Sequence, residues 1–403
     1  MKYNAQGDYY ETSFESDASS ELPIEPKVWR YQLLVSVPKQ VSREHVFLYL
    51  SSGDNAHTEL HAGLKKIRDC SGSVVAQLRI FTNGPICEGK SGKIISEDHV
   101  IALSWKHFLQ TQDPSCLVQL QLQDMVIRAI SEIEDFIVNI KGFKFNGLVV
   151  SGQSKRAQLS WLAASRDQRI VGLIPMVYDM LNFYSNMKHH YNVYGFWAEA
   201  LTPYSEYEIP SFLDSKEFKQ LAKFIDPYYF GGKIEIPKYM INAANDEYFL
   251  PDSSQFYYQN LKGPKGIRYL PNHGHRLEDQ GMDYWDVVYS AFLLMIEGIS
   301  FPVVQWQKTE QGLNVSYERE PIAAYLWQAN AEKRDFRLGP SYPQFKSSKL
   351  GKLDGDRENL LIKPLAESRW QAFFVELVYG FPKCKAQLSL TTDVVISENE
   401  KVV

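Results

Sequence analysis

The sequence predicts an α/β fold with an open, mostly parallel sheet, followed by antiparallel β structure. Short apolar runs bounded by Ser and Gly recur through about the first 300 residues, and longer segments with helical spacing separate them. Strands that alternate with helices are typical of a sheet with crossover connections. After Phe301 the pattern changes, because strand-like runs follow one another without a long amphipathic helix between them.

The elements of the predicted sheet can be placed along the chain. The apolar runs that we interpret as buried strands are 45–50, 73–80, 145–150, 170–176, 238–242 and 266–270. One helix is expected to begin after Ser96, whose hydroxyl can cap it while Glu97 and Asp98 occupy its first turn. Another is expected in 118–140, where apolar positions recur at helical spacing.

A chain of 403 residues is expected to contain more than one folded region. Residues 1–25 are polar and predict a poorly ordered lead-in, from which a few residues could join a sheet edge. We assign 26–300 to an α/β domain and 301–403 to a β-sandwich-like domain. The segment 181–230 is rich in Tyr, Phe and Trp and contains three prolines, so we expect a cap over the carboxyl edge of the sheet. Its aromatic residues could equally be core residues of additional helices.

Composition excludes several classes of function. Hydrophobic residues make up 44% of the chain and charged residues 23%, as in ordinary globular proteins. The net charge is -5 and the basic residues are scattered, so we expect no nucleic-acid partner. No apolar run approaches the roughly 18 residues that a membrane span needs, and the polar segment 1–20 does not resemble a signal peptide.

The cysteines predict neither a metal site nor a disulfide framework. None of them has the CxxC or Cys/His spacing of zinc ligands, so no metal and no cofactor is expected. At most one disulfide is expected among them. The four residues are Cys70, Cys87, Cys116 and Cys384.

The strongest chemical signal is the segment 148–157, in which an apolar run passes through Gly152 and Ser154 into a helix. A tight turn of this kind raises a serine hydroxyl above the sheet, with the helix N-terminus behind it, as in the nucleophile elbow of α/β-hydrolases. Arg156 stands where that pattern usually has its second glycine. Taken alone, Gly-x-Ser is weak evidence, because a serine that caps a helix after a strand is a common structural device.

Two later strand candidates end on an acid and on a histidine. The first leads into Asp246 and Glu247, and the second leads into His273 and His275. Taken alone, an acid after a strand is ordinary turn chemistry. The order Ser, Asp, His, with each residue at the carboxyl end of a strand, is however the order of the α/β-hydrolase triad. We therefore predict that Ser154 attacks a carbonyl, His275 takes and returns its proton, and Asp246 orients the imidazole.

Each of the last two assignments has a rival in the sequence. His273 could be the base instead of His275, which we prefer because Gly274 gives the loop freedom to bring the following residue toward the serine. Glu247 could be the acid instead of Asp246. Adjacent side chains at a strand end point to opposite sides, and Asp246 comes first off the strand, so we expect Glu247 to face away from the site.

An oxyanion hole needs two backbone donors. One normally comes from the residue after the nucleophile, here Lys155, and the other from the loop after an earlier strand. Ser52 and Gly53 are our candidates for the second donor, although their segment could be a plain Ser/Gly turn. The Lys155 and Arg156 side chains are interpreted as structural charges rather than as selectors of acidic substrates.

Sequence motifs spread over most of the chain match those of one family. The most specific are Ser-Gly-Gln-Ser-Lys-Arg at 151–156 and Asn-Asp-Glu-Tyr-Phe-Leu-Pro-Asp at 245–252. Further matches are 28–30, 37–38, 74–76, 96–98, 161–164, 174–177, 271–275, 326–330 and 334–337. Together they resemble the PhoPQ-activated pathogenicity-related family of α/β-hydrolase-like proteins over about residues 25–395.

This resemblance implies several properties. It implies an α/β-hydrolase fold, export from the cell to the periplasm or beyond, and a link to virulence in some members. It also supports His275 over His273 and places the triad acid at Asp246. The chain departs from the family where Ala157 and the segment 51–53 replace glycines, both near the predicted oxyanion hole.

Two functions follow from these observations. The first is hydrolysis of an ester or amide, with the aromatic segment 181–230 shaping a pocket for an apolar or sugar-like group. The second is a non-catalytic, secreted binding or signalling role on a hydrolase fold. The complete Ser, Asp and His set favours the first, whereas the altered glycines leave room for the second. The sequence does not identify the substrate.

Overall fold

A computed structural model describes residues 1–5, 8–52, 59–80, 85–89, 92–277, 284–309, 312–350, 360–362 and 368–399. Its strands up to the end of the main sheet are β1 (Lys2–Asn4), β2 (Tyr9–Asp17), β3 (Ile24–Glu25), β4 (Val28–Ser36), β5 (Val46–Ser52), β6 (Val74–Ile80), β7 (Ile86–Glu88), β8 (Lys93–Ile95), β9 (Leu148–Gln153), β10 (Ile170–Met176), β11 (Lys238–Ala243) and β12 (Lys265–Leu270). The later strands are β13 (Val304–Thr309), β14 (Gly312–Tyr317), β15 (Ala323–Ala331), β16 (Lys346–Lys349), β17 (Leu360–Ile362), β18 (Trp370–Phe381), β19 (Ala386–Thr391) and β20 (Val395–Glu398).

The helices lie mainly between the strands of the first 300 residues. They are α1 (Ala62–Ser71), α2 (Glu97–Thr111), α3 (Val118–Asp135), α4 (Lys155–Ala164), α5 (Phe183–Tyr194), α6 (Thr202–Glu206), α7 (Lys216–Ile225) and α8 (Tyr284–Ile296). Ser96 caps α2 as predicted, because its Oγ accepts from the amide of His99. The segment predicted as one helix over 118–140 is α3 followed by a π-helical turn over Phe136–Ile140.

The main sheet has nine strands in the order β1-β2-β4-β6-β5-β9-β10-β11-β12. Strands β5, β6 and β9 to β12 pair in parallel, whereas β4 runs antiparallel to both of its neighbours. The edge strand β1 is reversed as well, because it pairs antiparallel with β2. A mostly parallel sheet whose reversed strands lie toward its N-terminal edge agrees with the α/β-hydrolase fold. The predicted fold class is therefore confirmed.

Two local differences from the predicted strands have clear physical causes. β9 starts at Leu148 rather than at 145, because Gly147 has a φ of +96°, which a strand does not accommodate. β2 extends over nine residues and pairs with β4, so more of the lead-in joins the sheet than the few residues expected. Phe14 anchors β2 by stacking on Tyr31, with ring centroids 5.6 Å apart, while the polar residues around it suit a sheet edge.

Helices cover both faces of the sheet. Alternate residues of β5 enter two separate core clusters, since Leu48 joins the one with α2, α3 and α4, and Phe47 joins the one with α1 and α8. The carboxyl ends of β5, β9, β10, β11 and β12 consequently meet at one edge of the sheet, and the loops after them are free to carry functional groups.

The predicted cap is an insertion between β10 and β11 that contains α5, α6 and α7. Ser215 caps α7 by accepting from the amide of Phe218, and the buried side chains of α7 recur at helical spacing. The buried Asp226 carboxylate then accepts from the amides of Phe183 at 2.8 Å and Tyr228 at 3.0 Å. This carboxylate ties the end of α7 to the start of α5.

The C-terminal part of the chain forms antiparallel sheets, as predicted. One contains β13, β14 and β17, and the other contains β15, β16, β18, β19 and β20. The second is attached to the main sheet through β12, where the Tyr269 amide donates to Thr391 Oγ1 at 3.1 Å and Arg268 pairs with Glu376 at 2.7 Å in a buried contact. In the described ranges, no helix is both long and apolar enough to cross a bilayer.

The described residues also bear on metals and disulfides. All four cysteines are described, and each is a free thiol. Within the part of the chain that the structure describes, no group of three His, Cys, Asp or Glu side chains is arranged to hold a metal ion.

Candidate active site

Ser154 lies on the turn between β9 and α4 in a strained backbone conformation, with φ +56° and ψ −125°. Its amide donates to the Met176 carbonyl at 2.9 Å, and its carbonyl accepts from the Gln158 amide at 3.1 Å. Its hydroxyl does not cap the helix. A Cβ on Gly152 would lie 2.7 Å from the Cβ of Arg156, so the tight turn requires glycine there. The geometry is that of a nucleophile elbow rather than of a capping serine.

The acid and the histidine after β11 and β12 are in direct contact. His275 Nδ1 donates to Asp246 Oδ2 at 2.9 Å, and their side chains are 13% and 3% exposed. The second carboxylate oxygen, Oδ1, accepts from the amides of Tyr248 at 2.7 Å and Phe249 at 3.2 Å. Asp246 is thus held by its own loop, and the imidazole has one defined partner at Nδ1.

Two aromatic rings connect this pair with the serine. The rings of Tyr248 and Phe249 lie 4.2 Å and 5.6 Å, centroid to centroid, from the His275 imidazole. The same two side chains line a cavity that also has Ser154 in its wall. The structure therefore brings Ser154, Asp246 and His275 to the same edge of the sheet.

His273 has a different environment from His275. It is buried, and its Nδ1 donates to the Pro271 carbonyl at 2.8 Å. Burial lowers its pKa, and the nearby Arg268 lowers it further. The backbone carbonyl of His273 also accepts from the Asn245 amide at 3.0 Å. These contacts indicate a structural histidine in the loop.

Glu247 does not face away from the histidine loop, contrary to the expectation from alternation. Its Oε2 accepts from the backbone amide of His275 at 2.7 Å. A Cβ on Gly274 would lie 2.8 Å from both Glu247 carboxylate oxygens and 2.7 Å from Leu338. A side chain at position 274 would displace the Glu247 carboxylate and Leu338, so Gly274 leaves room for the contact between Glu247 and the His275 amide.

The oxyanion-hole candidates lie beside the serine as far as they are described. Lys155 is the first residue of α4, so its amide is one of the helix N-terminal donors that have no intrahelical acceptor. Leu50 of β5 pairs with Gly152 of β9, and Ser52 ends β5 two residues later. Gly53, the other candidate, lies outside the described residues.

The cationic side chains after the serine are bound to the first turn of α2. Arg156 makes a bidentate contact with Glu97 at 2.5 and 2.8 Å, and Lys155 Nζ donates to Asp98 at 2.7 Å. Burial opposes the charge of Lys155, yet Glu97 and Asp98 outweigh it and raise the pKa of the ammonium. Asp98 also accepts from the Tyr204 hydroxyl at 3.1 Å. These charges are structural, as predicted, although their partners could not be inferred from the sequence.

A wide polar cleft of about 970 Å³ opens next to Glu247, between the insertion at Glu199 and the C-terminal segment 330–343. The C-terminal wall is bound to the loops that carry the site. The side-chain amide of Asn245 donates to the Phe336 carbonyl at 2.5 Å, and that of Asn272 donates to the Phe345 carbonyl at 2.9 Å. The sequence did not predict that the C-terminal region borders the site.

The Asp252 carboxylate links the insertion, the main sheet and the C-terminal region. Asp252, in the loop after β11, contacts His189 of α5 at 3.0 Å and Arg334 of the C-terminal region at 2.8 Å. Burial favours the neutral form of Asp252, but His189 and Arg334 more than offset it and lower its pKa. The insertion, the main sheet and the C-terminal region are therefore connected through a single charged cluster.

Asp179, which follows β10, is an acid that sequence reasoning did not identify. It is buried and accepts from the hydroxyls of Tyr257 at 2.6 Å and Tyr269 at 2.5 Å. Burial raises its pKa to about 8, against the effect of both hydroxyls. An acid that is largely neutral at pH 7 is poorly suited to stabilise an imidazolium, which leaves Asp246 as the partner of His275.

We expect Asp179→Asn to change how stability depends on pH. The unfolded carboxyl ionises near pH 4 and the folded one near pH 8, so rising pH lowers the free energy of unfolding of the wild type in this window, by up to ~1.4 kcal/mol per pH unit. The side-chain amide of the variant does not ionise, so the free energy of unfolding of the variant should rise relative to that of wild type from pH 4 to pH 8. Urea denaturation at several pH values measures the difference, and a pH-independent difference would contradict the assignment.

Comparisons with known proteins identify the family of this chain. A relative from Dictyostelium discoideum, "Autocrine proliferation repressor protein A", is 29% identical over 92% of this chain and 81% of its own length. An acetyl xylan esterase structure from Paenibacillus sp. R4 has a TM-score of 0.48 at 17% identity, over 74% of this chain and 86% of its own. An acylaminoacyl peptidase from Pyrococcus horikoshii has a TM-score of 0.44 at 11% identity, over 72% and 41%. Residues 1–337 match the family description "PhoPQ-activated pathogenicity-related protein". The chain belongs to this family.

Proposed function

We propose that the protein is a serine hydrolase that cleaves an ester or an amide, with Ser154, His275 and Asp246 as its triad. The observation that carries the proposal is the 2.9 Å contact between His275 Nδ1 and Asp246, at the sheet edge where Ser154 occupies a strained turn. A serine held at φ +56° with its hydroxyl outside the helix cap has no structural task that would explain the strain.

The proposed mechanism follows from these contacts. Because Asp246 accepts the Nδ1 proton, Nε2 of the imidazole is unprotonated and is the base for Ser154 in this proposal. Nε2 takes the proton from Ser154 Oγ as this oxygen attacks the substrate carbonyl, and an acyl-serine forms after the leaving group receives that proton. Water then attacks the acyl-serine by the same route and regenerates the enzyme.

The negative charge of the tetrahedral intermediate needs donors on the other side of the carbonyl. The Lys155 amide at the start of α4 supplies one in this proposal, with the positive end of the helix dipole behind it. The second donor is proposed to be the backbone amide of Ser52, at the end of β5, or of Gly53. The side chains of Lys155 and Arg156 take no part, because their charges are paired with Asp98 and Glu97.

A fluorophosphonate probe tests the nucleophile directly. We expect the wild-type protein to become labelled at Ser154 and Ser154→Ala to remain unlabelled while it stays folded. Ser165→Ala is the matched control, since Ser165 lies at the other end of α4 and its hydroxyl donates to the Leu162 carbonyl at 2.6 Å. Labelling of the control should equal that of wild type. Folded wild-type protein without any label would refute the proposal.

A second candidate function is a non-catalytic, secreted signalling role. The observation in its favour is the name of the Dictyostelium relative, which describes repression of proliferation by that protein. Purified wild type and Ser154→Ala, added to growing cultures of the producing organism, distinguish the two functions. Equal slowing of growth by both proteins would support signalling without catalysis, whereas an effect of the wild type alone would support hydrolysis as its basis.

We also propose that the protein acts outside the cytoplasm and contributes to pathogenicity in its producer. The family description supports this proposal. Immunoblots of culture medium and cell fractions, with a cytoplasmic enzyme as marker, test the location. Protein found only with the marker would contradict export.

A further inference from the structure

The cavity beside Ser154 is small and has mostly apolar walls. Its volume is about 60 Å³, and Ser154 lies in its wall. Much of the remaining wall consists of buried side chains from α2 and the insertion, namely Ile101, Trp105, Phe183, Met187 and Leu201. A group attached to the carbonyl that Ser154 attacks can enter this space.

Four polar side chains of the wall are already bonded to other groups of the protein. Asp98 binds Lys155 and Tyr204, and the Gln158 amide donates to the Ile225 carbonyl at 2.9 Å. Tyr178 also lines the cavity, and its hydroxyl, which lacks a partner among the described residues, has almost no accessible surface. A polar substituent in this space would therefore lose its hydration and find few available hydrogen-bond partners.

The volume of the cavity limits the length of the acyl group that can bind in it. The space open to atom centres in this cavity is about 60 Å³, against about 970 Å³ in the cleft next to Glu247, so only a group of a few non-hydrogen atoms fits. The carbonyl oxygen points toward the oxyanion donors and does not occupy this space. We infer that the substrates are esters or amides of short, apolar acyl groups of about two to four carbons, which bind in the Ser154 cavity. This inference rests on the proposed hydrolase function.

Chain-length dependence of ester hydrolysis is the test. We expect kcat/KM for p-nitrophenyl esters to rise by up to roughly fourfold per methylene from acetate to butyrate, since each added methylene is buried. It should then fall at least tenfold at octanoate, because a longer chain meets the close-packed side chains of α5. Equal or faster hydrolysis of octanoate by wild type would overturn the inference while leaving the proposed hydrolase function intact.

A variant with an enlarged cavity tests whether the preference for short acyl chains arises from the Ser154 cavity. Met187→Ala removes a side chain from the wall and should move the optimum toward hexanoate. Leu201→Ala serves the same purpose if Met187→Ala does not fold. Met295→Ala, on α8 against the other face of the sheet, is the matched control and should keep the wild-type profile. An unchanged profile in the folded cavity variants would overturn the inference. Absence of both hydrolysis and probe labelling would refute the proposed function and the inference together.

Discussion

Asp246→Asn is expected to lower kcat by roughly 10⁴-fold while leaving the fold intact. The asparagine Oδ1 can still accept from the amides of Tyr248 and Phe249, so the loop should keep its shape. Its NH₂ group, however, would face His275 Nδ1 and donate to it. The imidazole would then carry its proton at Nε2 and could not accept one from Ser154. Steady-state kinetics with p-nitrophenyl butyrate, together with circular dichroism of the variant, measure this effect.

Glu247→Gln is the matched control for this prediction. The side-chain carbonyl of glutamine can accept from the His275 amide as Glu247 does, so only a small loss of kcat is expected. If the glutamine variant were crippled and Asp246→Asn remained active, the acid assignment would be wrong, although a serine hydrolase with a different acid would still be possible.

Arg156→Met is expected to cost about 3–5 kcal/mol of unfolding free energy. The Arg156 and Glu97 side chains are 4% and 14% exposed, so the variant leaves a carboxylate buried without its bidentate partner. Urea denaturation at pH 7 measures the loss. The exposed pair of Arg30 and Glu15 has an N···O distance of 2.7 Å with 62% and 52% exposure, so Arg30→Met should cost only about 0–1 kcal/mol.

A double variant distinguishes the stability lost by breaking the ion pair from the stability lost through poorer packing. Replacing both Arg156 and Glu97 by methionine removes the stranded charge and should recover much of the stability lost in Arg156→Met. Additive losses in the double variant would show that the two side chains act independently, contrary to the contact between them.

The sequence predicted the parts of the site that depend on local pattern. Strand ends after β9, β11 and β12 could be located because apolar runs stop there, and the order of Ser154, Asp246 and His275 then indicated the fold. The choice of His275 over His273 agrees with the contacts, but for a different reason than loop freedom. The discriminating facts are the Nδ1 partners of the two rings, which only the folded loop defines.

Contacts between residues distant in sequence could not be predicted in this way. Arg156 and Glu97 are 59 positions apart, and Asn245 and Phe336 are 91 apart. Neither separation leaves a periodic signal, because each contact depends on how whole elements pack. The motifs shared with the family at 96–98, 151–156 and 334–337 marked segments that make these contacts, but they did not indicate which segments touch one another.

The hydrogen bonds from the Asn245 and Asn272 side chains to the C-terminal region have a consequence for biosynthesis. All nine strands of the main sheet have left the ribosome once residue 270 has emerged from the exit tunnel. The carbonyls of Phe336 and Phe345, which these two asparagine amides require, emerge more than sixty residues later. Until then the amides must bind water, and the edge that carries Asp246 and His275 lacks one wall. A ribosome that stalls in this interval would display a complete sheet with an unfinished site.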